Sequence, residues 1–366
     1  MSNCNLRELR EVQRITEREL KNSILEAGSA TWTSEMQAKF DSALNTLDRT
    51  EAAIVGFELG LRRAPSALSP TERRLVKNAM STTAGSTGGF TVPPVFWQGV
   101  ESVYKNYSAM RDVCTVFPTS WGGDLTVPTS DGTTEVGEQV DQNTSASYLD
   151  MTFGGASLNV FKFSSKGFIV PLELLEDSHM PAVEWILERA GERIGRIQNK
   201  KFTTGSGTGE ATGIATAAQV GKAGLTGQTI TVIYDDLADL ETTVEAGHKG
   251  RAWMMSAGAR RIVRRIKDTN GRPVWEPDLN AAAPGGSVMG YPVRINDDVP
   301  APGPNQKSIL FGNFSKYVVR DAGPLVLYKT YDSNGLAGLP IFVGFQRSGG
   351  NLIDAQAVKA YQHSAT

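Results

Sequence analysis

Lys166-Gly-Phe-Ile-Val-Pro-Leu-Glu-Leu-Leu-Glu-Asp-Ser-His-Met-Pro-Ala-Val-Glu-Trp-Ile-Leu-Glu-Arg-Ala-Gly-Glu-Arg-Ile-Gly-Arg-Ile-Gln-Asn-Lys-Lys-Phe202 carries the strongest structural signal in the 366-residue chain. Phe168–Pro171 reads as the end of a strand. Asp177 or Ser178 caps a helix, and Pro181 suits its first turn. Val183, Ile186, Leu187, Ala190, Ile194 and Ile197 then mark one helical face. Glu192 and Arg196 stand at the favourable i,i+4 spacing. A helix reaching Phe202 has roughly 22–25 residues and spans about 35 Å. Gly191 and Gly195 inside it each cost about 1 kcal/mol against alanine. They predict a backbone passing close by. Thr203–Gly213, rich in glycine, ends the helix and reads as a flexible turn.

Before this helix, Leu125-Thr-Val-Pro128 reads as an outgoing strand. Leu158, Val160, Phe161, Phe163 and Phe168–Pro171 read as the returning one. Between them, residues 131–150 hold Asp131, Glu135, Glu138, Asp141 and Asp150 and no basic residue. Residues 121–170 therefore form a long hairpin with a polar, acidic tip. Arms of roughly 20 residues reach about 60 Å. An arm of that length cannot pack wholly on its own domain, so it is mobile or lies on a neighbour. Upstream, Phe90–Pro94 is extended, Val95–Tyr104 is helical, and Ser108–Val116 follows.

After residue 225 helices and strands alternate. Asp235 or Asp236 caps a helix bearing Leu237, Leu240 and Val244. Arg251–Met255 is a buried strand. Ala257–Lys267 is a helix with Arg260, Arg261, Arg264, Arg265 and Lys267 on its polar side. Asn270-Gly271 is a turn. Val288–Ile295, Ser308–Phe311, Lys316–Arg320, Leu325–Tyr328 and Ile341–Phe345 are strands, and Ala355–Val358 closes the chain. The body is mixed α+β, without a β-α-β-α repeat.

Residues 1–80 have another composition: 23 are charged, against 53 in the remaining 286. Only 3 of the 38 glycines and 2 of the 17 prolines lie there. Leu6, Leu9, Val12, Leu20 and Ile24 form one broken helical stripe. Met36, Phe40, Ala43, Leu44, Leu47, Glu51 and Ile54 follow at steps of three and four, after a Ser34/Gln37 capping box. Such narrow stripes want a partner, each other or another chain. Pro65 and Pro70 break the helices, a short charged helix covers Thr71–Met80, and Ser81–Gly89 is a linker.

The material for chemistry is sparse. Cys4 and Cys114 cannot build a disulfide framework or a four-thiolate zinc site, and His179, His248 and His363 are the only histidines. Gly205-Ser-Gly-Thr-Gly-Glu-Ala-Thr-Gly213 lacks the lysine, and the strand before it, of a phosphate-binding loop. No Gly-x-Ser-x-Gly elbow is present. His179 reads as a surface or capping residue and His248 as a turn residue. Asp235-Asp236 and Asp297-Asp298 read as caps or turns rather than cation ligands. The basic helix over 257–267 reads as a solvated or subunit-facing surface. No catalytic, cofactor-binding or metal residue is assigned, and no cofactor is expected. The net charge of −2 argues against a general nucleic-acid binder. No signal peptide and no run of about 20 apolar residues is visible, so the expectation is a soluble chain in a reducing cytoplasm, away from membranes.

Over roughly residues 85–362 the body resembles a major capsid protein of tailed bacteriophages, with the HK97-like fold. The resemblance rests on Gly88–Pro93 with Met110-Arg-Asp-Val-Cys114, on Lys166–Ser178, and on Glu188–Gly195 running into Gly205–Ile214. Gly271–Pro277, Gly290–Val293 with Asn296–Pro300, and Leu310–Tyr317 complete it. It implies a scaffold-like delta domain at 1–80, a linker and N-arm at 81–120, and an E-loop at 121–170. A P domain with a long spine helix would comprise 171–221 and 336–366, and an A domain 222–335. It further implies copies of the chain forming hexamers and pentamers of an icosahedral virion shell around double-stranded DNA. Portal protein and prohead protease would be partners, DNA contact would be non-specific, and assembly would occur in the bacterial host cytoplasm. Relatives that crosslink use an E-loop lysine, whereas Asp131–Asn159 has none, so no self-crosslinking is expected. Any proteolytic trimming is expected between about Leu75 and Gly89. The alternatives are an encapsulin-like nanocompartment shell and a soluble enzyme with a mobile loop over its site.

Overall fold

The computed structural model describes residues 54, 56–57, 59–61, 68, 70–79, 89–91, 103–104, 107–130, 138–143, 145–146, 148, 153–171, 182–267, 286–330 and 339–366. The helical stripes over residues 6–47, the linker 81–88, most of the helix expected over 95–104, the expected cap at 177–178, the 270–271 turn and most of the hairpin tip lie outside them. In chain order the elements begin with α1 (Pro70–Ala79), β1 (Gly89–Thr91), α2 (Ala109–Val113), β2 (Thr115–Thr119) and β3 (Thr126–Ser130). Then come β4 (Phe153–Ser157), β5 (Phe161–Ser164), β6 (Phe168–Ile169), α3 (Ala182–Thr204), α4 (Ile214–Ala217) and β7 (Gln219–Ala223). They continue with α5 (Tyr234–Thr242), β8 (Ala252–Met255), α6 (Ala257–Val263), β9 (Ser287–Val288), β10 (Tyr291–Ile295) and β11 (Lys307–Gly312). β12 (Tyr317–Ala322), β13 (Val326–Thr330), β14 (Ile341–Leu352) and β15 (Val358–Gln362) close the series.

The chain divides into two units. The first takes residues up to 101, 166–189 and 326–344. In it β1 runs antiparallel to β13, and β6 pairs with the first two residues of β14, where Phe168 stacks on Phe342. α1 has the length and place expected of the short charged helix, but it is no solvated spacer. Leu75, Val76 and Ala79 are buried, as are Phe57 and Leu61 before it. Lys329 of β13 donates its Nζ–H to the Leu61 carbonyl at 2.8 Å. That tie holds residues 59–61 to the sheet.

The second unit takes residues 102–165, 190–325 and 345–366. Its six-stranded sheet has the order β7-β15-β11-β8-β10-β9. β7 is parallel to β15 and β8 to β10, and the remaining pairs are antiparallel. Strand alternation puts Trp253, Met255, Ile309, Phe311 and Tyr361 on one face. Leu237, Leu240 and Val244 of α5, and Ala259 and Val263 of α6, bury against them. The ring of Trp253 lies 4.3 Å from that of Phe311 and donates its indole N–H to the Val288 carbonyl. The run expected as one strand over 288–295 is instead a hairpin. Met289 and Gly290 both have positive φ, 53° and 78°, the requirement of the tight two-residue turn that joins antiparallel strands.

A second set of strands joins β2, parallel to β12, and the later half of β14, antiparallel to β12 and β5. The returning run read as one arm of the hairpin therefore splits. β4 pairs with β3, whereas β5 turns away to β14. The reason is visible at Gly349, where a Cβ would stand 1.8 Å from the Asn159 carbonyl oxygen. The chain leaving the hairpin is pressed against β14 at a position where no side chain fits.

α3 is one continuous 23-residue helix, as its periodicity predicts. Glu192 pairs with Arg196 at 2.9 Å, and a Cβ on Gly195 would stand 3.6 Å from the Tyr104 Cα, so the backbone there passes close by. Ile186, Leu187, Ala190 and Ile194 are buried, but Ile197 is exposed. The inward face near its C-terminus is polar instead. Asn199 accepts from the Met110 N–H and from Ser108, and donates to Asn296 and Asp298. Gln198 accepts from Arg111 Nε and donates to Gln346. Arg111 forks onto Asp321 through two 2.8 Å bonds and lies over the rings of Tyr104 and Phe202. These groups tie α2, α3, β12 and β14 into one network within the unit. Cys114, beside it, has its thiol pushed up to about 12 by burial, which disfavours the thiolate.

The C-terminal strand is stitched in similarly. His363 is buried, with one ring nitrogen 2.6 Å from Ser308 Oγ and the other 3.2 Å from the Gln228 carbonyl. Burial holds the imidazole below its ordinary value of 6.5, against the opposing pull of that carbonyl and of Asp236.

Two outcomes are expected. Asp321→Ala leaves a buried guanidinium unpaired, so it should cost about 3–5 kcal/mol, read as a lower midpoint in urea unfolding. An unchanged midpoint would contradict the role given to the pair. For His363 the folded pKa is depressed, so its contribution is complete above pH 6.5 and is lost as pH falls below it. The stability gap between wild type and His363→Gln should therefore shrink as unfolding is measured from pH 7.5 down to pH 5, by about the amount that the shift dictates.

Candidate functional site

Thr126–Ser130 of β3 and Phe153–Ser157 of β4 pair in five antiparallel steps, Thr126 opposite Ser157 and Ser130 opposite Phe153. This two-stranded ribbon forms a sheet of its own, and most of its described residues on both sides are exposed or half-exposed. An isolated two-stranded hairpin is marginal in water, so the ribbon needs either a stiff root or a surface to lie on. The described residues toward its tip are exposed as well: Glu138, Gln139, Val140, Asp141 and the fully exposed Tyr148.

The root is stiff. The Leu158 N–H donates to the Leu125 carbonyl at 2.7 Å and closes the two strands. Beneath them lies Arg320, 0% exposed. Its Nη1 donates to the Gly123 carbonyl at 2.7 Å and to the Leu158 carbonyl at 3.0 Å. Its Nη2 donates to the Trp121 carbonyl and its Nε to Thr119 Oγ1. The guanidinium also sits 4.6 Å from the centre of the exposed Trp121 ring. One planar fork thus holds the strand that enters the hairpin and the strand that leaves it. Asn351 adds a bond from its side-chain N–H to the Ser157 carbonyl.

The residues singled out for chemistry do not come together. Gly205–Gly213 is a closed loop rather than a flexible turn. Gly213 N–H donates to the Gly205 carbonyl, and a Cβ on Gly205 would stand 2.1 Å from the Ala211 oxygen. Its carboxylate, Glu210, pairs with Lys201 and accepts the Ser206 N–H, and these bonds hold it down to about 2. A negative group filling the loop is the opposite of what a phosphate needs. Asp236 sits at the third position of α5, not at its cap, and accepts the Ile233 N–H. Asp297 accepts the first N–H of α6, and Asp298 serves Asn199. His248 lies 3.9 Å from Asp354 in its turn. His179 lies outside the described residues. Among the described residues no group of His, Cys, Asp and Glu is arranged to hold a metal ion. α6 ends at Val263, a turn shorter than the periodicity implied, with Arg261, Arg264 and Arg265 exposed.

Reasoning from sequence missed Arg111, Arg320 and Asp321 as the groups that organise the hairpin's surroundings. The available signal was the charged pair Arg320-Asp321 within the apolar run Tyr317-Val-Val-Arg-Asp-Ala322, since charges in a buried strand need partners.

Among curated proteins none matches the chain. Solved structures do. The capsid of a native gene-transfer-agent (GTA) particle is 22% identical, with a TM-score of 0.59, over 70% of this chain and 90% of that one. The capsid of the empty GTA particle is 23% identical, with the same TM-score, over 71% and 90%. A chain from Mycobacterium phage Adephagia is 16% identical, with a TM-score of 0.51, over 71% and 91%. At these identities they establish a common fold, the HK97-like one. The phage capsid family model matches residues 88–363, three quarters of the chain and all of the described strands, and so the chain belongs to the phage capsid family.

Proposed function

We propose that the protein is the repeating subunit of an icosahedral phage shell, in which copies close into hexamers and pentamers around double-stranded DNA. The observation that carries this reading is the ribbon of β3 and β4, open on both sides yet gripped at its root by a buried arginine. A monomeric protein gains nothing from such an arm, whereas a subunit that must reach a neighbour at a fixed angle does. In this reading residues 81–120 are the N-arm and 121–170 the E-loop. Residues 171–221 with 336–366 form the P domain, and 222–335 the A domain. The protein acts by its shape and not as an enzyme. It meets portal protein and prohead protease during assembly in the host cytoplasm, and touches DNA only non-specifically.

The scaffold-like segment 1–80 and its removal belong to the same proposal. Burial of Leu75, Val76 and Ala79 in α1 argues that a protease acts beyond this helix, at residues 80–89. No lysine lies between Asp131 and Asn159, and Lys162 covers the Phe345 ring at 3.9 Å. These placements favour a shell held without covalent crosslinks.

Full-length protein expressed alone should give capsomers or closed particles by size exclusion and electron microscopy. A stable monomer at every concentration would refute the shell reading. Arg320→Lys keeps the charge but supplies a single point donor where a four-bond fork stood. It should leave a folded subunit whose residues 121–160 are cut much faster in limited proteolysis and whose assembly is lost. Protein from mature particles should run as one monomer band on a denaturing gel, and its intact mass should begin at residues 80–89. A ladder of covalent oligomers or a full-length mass would contradict these two points.

A further inference from the structure

Five of the exposed large apolar side chains among the described residues fall within a single stretch: Val220, Leu225, Ile230, Ile233 and Tyr234. They belong to β7, to the connection after it and to the first residue of α5. β7 is the edge of the six-stranded sheet, paired on one side only. An edge strand bearing apolar side chains is an open template for association, which soluble proteins ordinarily blunt. Here Leu225 is 63% exposed and Ile230 57% exposed.

Charge surrounds this edge unevenly. Residues 235–245 hold five acidic side chains and no basic one. Three are satisfied within the subunit: Asp236 accepts from Ile233 and Tyr361, Asp239 pairs with Lys222, and Glu241 pairs with Arg251. Asp235 and Glu245 are exposed, and no basic group among the described residues forms an ion pair with either; Asp239 remains half open. Across the same sheet, residues 260–267 hold five basic side chains and no acidic one. Arg261 and Arg265 are exposed, again with no ion pair among the described residues. α6, which carries Arg261 and ends two residues before Arg265, follows β8, three strands from β7 and so about 14 Å along the sheet.

One sheet thus has an apolar, acid-rimmed edge and, away from it, a basic flank. A two-fold axis passing through either patch would set that patch against itself and bring like charges together. A head-to-tail contact sets unlike patches together and can close a ring. We infer that the β7 edge of one copy, with Asp235 and Glu245 at its rim, docks on the α6 flank of the next copy, where Arg261 and Arg265 receive it. The inference rests on the shell reading and names the faces that would join its subunits. The apolar residues supply the area, and the charges favour unlike patches over the pairing of either patch with itself.

The test is a charge swap in the full-length chain. Asp235→Lys with Glu245→Lys, and separately Arg261→Glu with Arg265→Glu, should each raise the concentration needed for assembly by about tenfold or more. The four changes combined should restore it, because the reversed patches again attract. Leu225→Asp with Ile230→Asp, at exposed positions, should abolish assembly while leaving the thermal midpoint of the subunit unchanged. Raising salt from about 0.1 M to about 1 M should weaken wild-type assembly. If wild type assembles and the single-face reversals assemble equally well, the inference falls and the shell reading stands. If those particles instead lose co-purifying nucleic acid on reversal of Arg261 and Arg265, α6 faces DNA and the inference also falls. If wild type never assembles, both fall.

Discussion

Alternation along one strand organises the second unit. In β12, successive side chains leave the sheet in opposite directions, so Arg320 and Asp321 serve different neighbours. Arg320 reaches the two roots of the ribbon, and Asp321 takes the fork of Arg111 with its polar companions on α3. Both charges are buried, and each has the geometry that burial demands. Arg320 is met by carbonyl oxygens on several sides, and Arg111 by a bidentate carboxylate, Gln198 and two aromatic rings. A shift of register by one residue in β12 would exchange the two directions and strand both charges. The pairing of β12 with β2 and β14 is thereby specified by electrostatics as well as by apolar pattern.

This arrangement divides the unit into parts that resist change and parts left open. The sheet core around Trp253, Phe311 and Tyr361 and the network around Asn199 are closed, with the Gln346 side-chain nitrogen a buried group there that lacks a hydrogen-bond partner among the described residues. The ribbon, the β7 edge and the strand β2, with Val116 and Phe117 on its opposite faces both open to solvent, are not closed. In a family whose members build shells, open edges on a rigid frame are the expected division. Flexible contacts would let neighbouring copies meet at many angles, and a closed shell tolerates few.

Much of the fold was legible because it rests on periodicity. α3 announces itself through the spacing of Ile186, Leu187, Ala190 and Ile194, and the strand at Ala252–Met255 through a bounded apolar run. The hairpin was legible as an outgoing strand, an acidic tip and a return. Its true width was not, because Phe161 and Phe163 look like any strand continuing from Leu158. Only the close pass of Asn159 against Gly349 shows where the chain leaves its partner, and that is a tertiary fact. The turn at Met289-Gly290 was hidden for a related reason: methionine rarely takes positive φ, so the residue pair carries little turn signal. The glycine loop at 205–213 was readable as a turn but not as a closed one, since its tightness depends on Glu210 folding back to Lys201 and Ser206. Family identity was legible from the order of several short motifs, whereas the partner of each buried charge was not. A pairing such as Arg111 with Asp321, 210 residues apart, leaves no local pattern.

That separation sets the order in which the subunit can become itself. The ribbon at 126–157 is made long before β12 supplies Arg320, and β7 waits 140 residues for Lys359 of β15, which lies between it and the rest of its sheet. Contacts closed over such lengths form slowly, after local helices such as α3. During synthesis, a chain that stops short of residues 317–362 has an arm with no anchor and an edge strand with no sheet behind it. The surfaces able to recruit a neighbour acquire their geometry last, so the topology itself acts as a timer that holds association back until the subunit is whole.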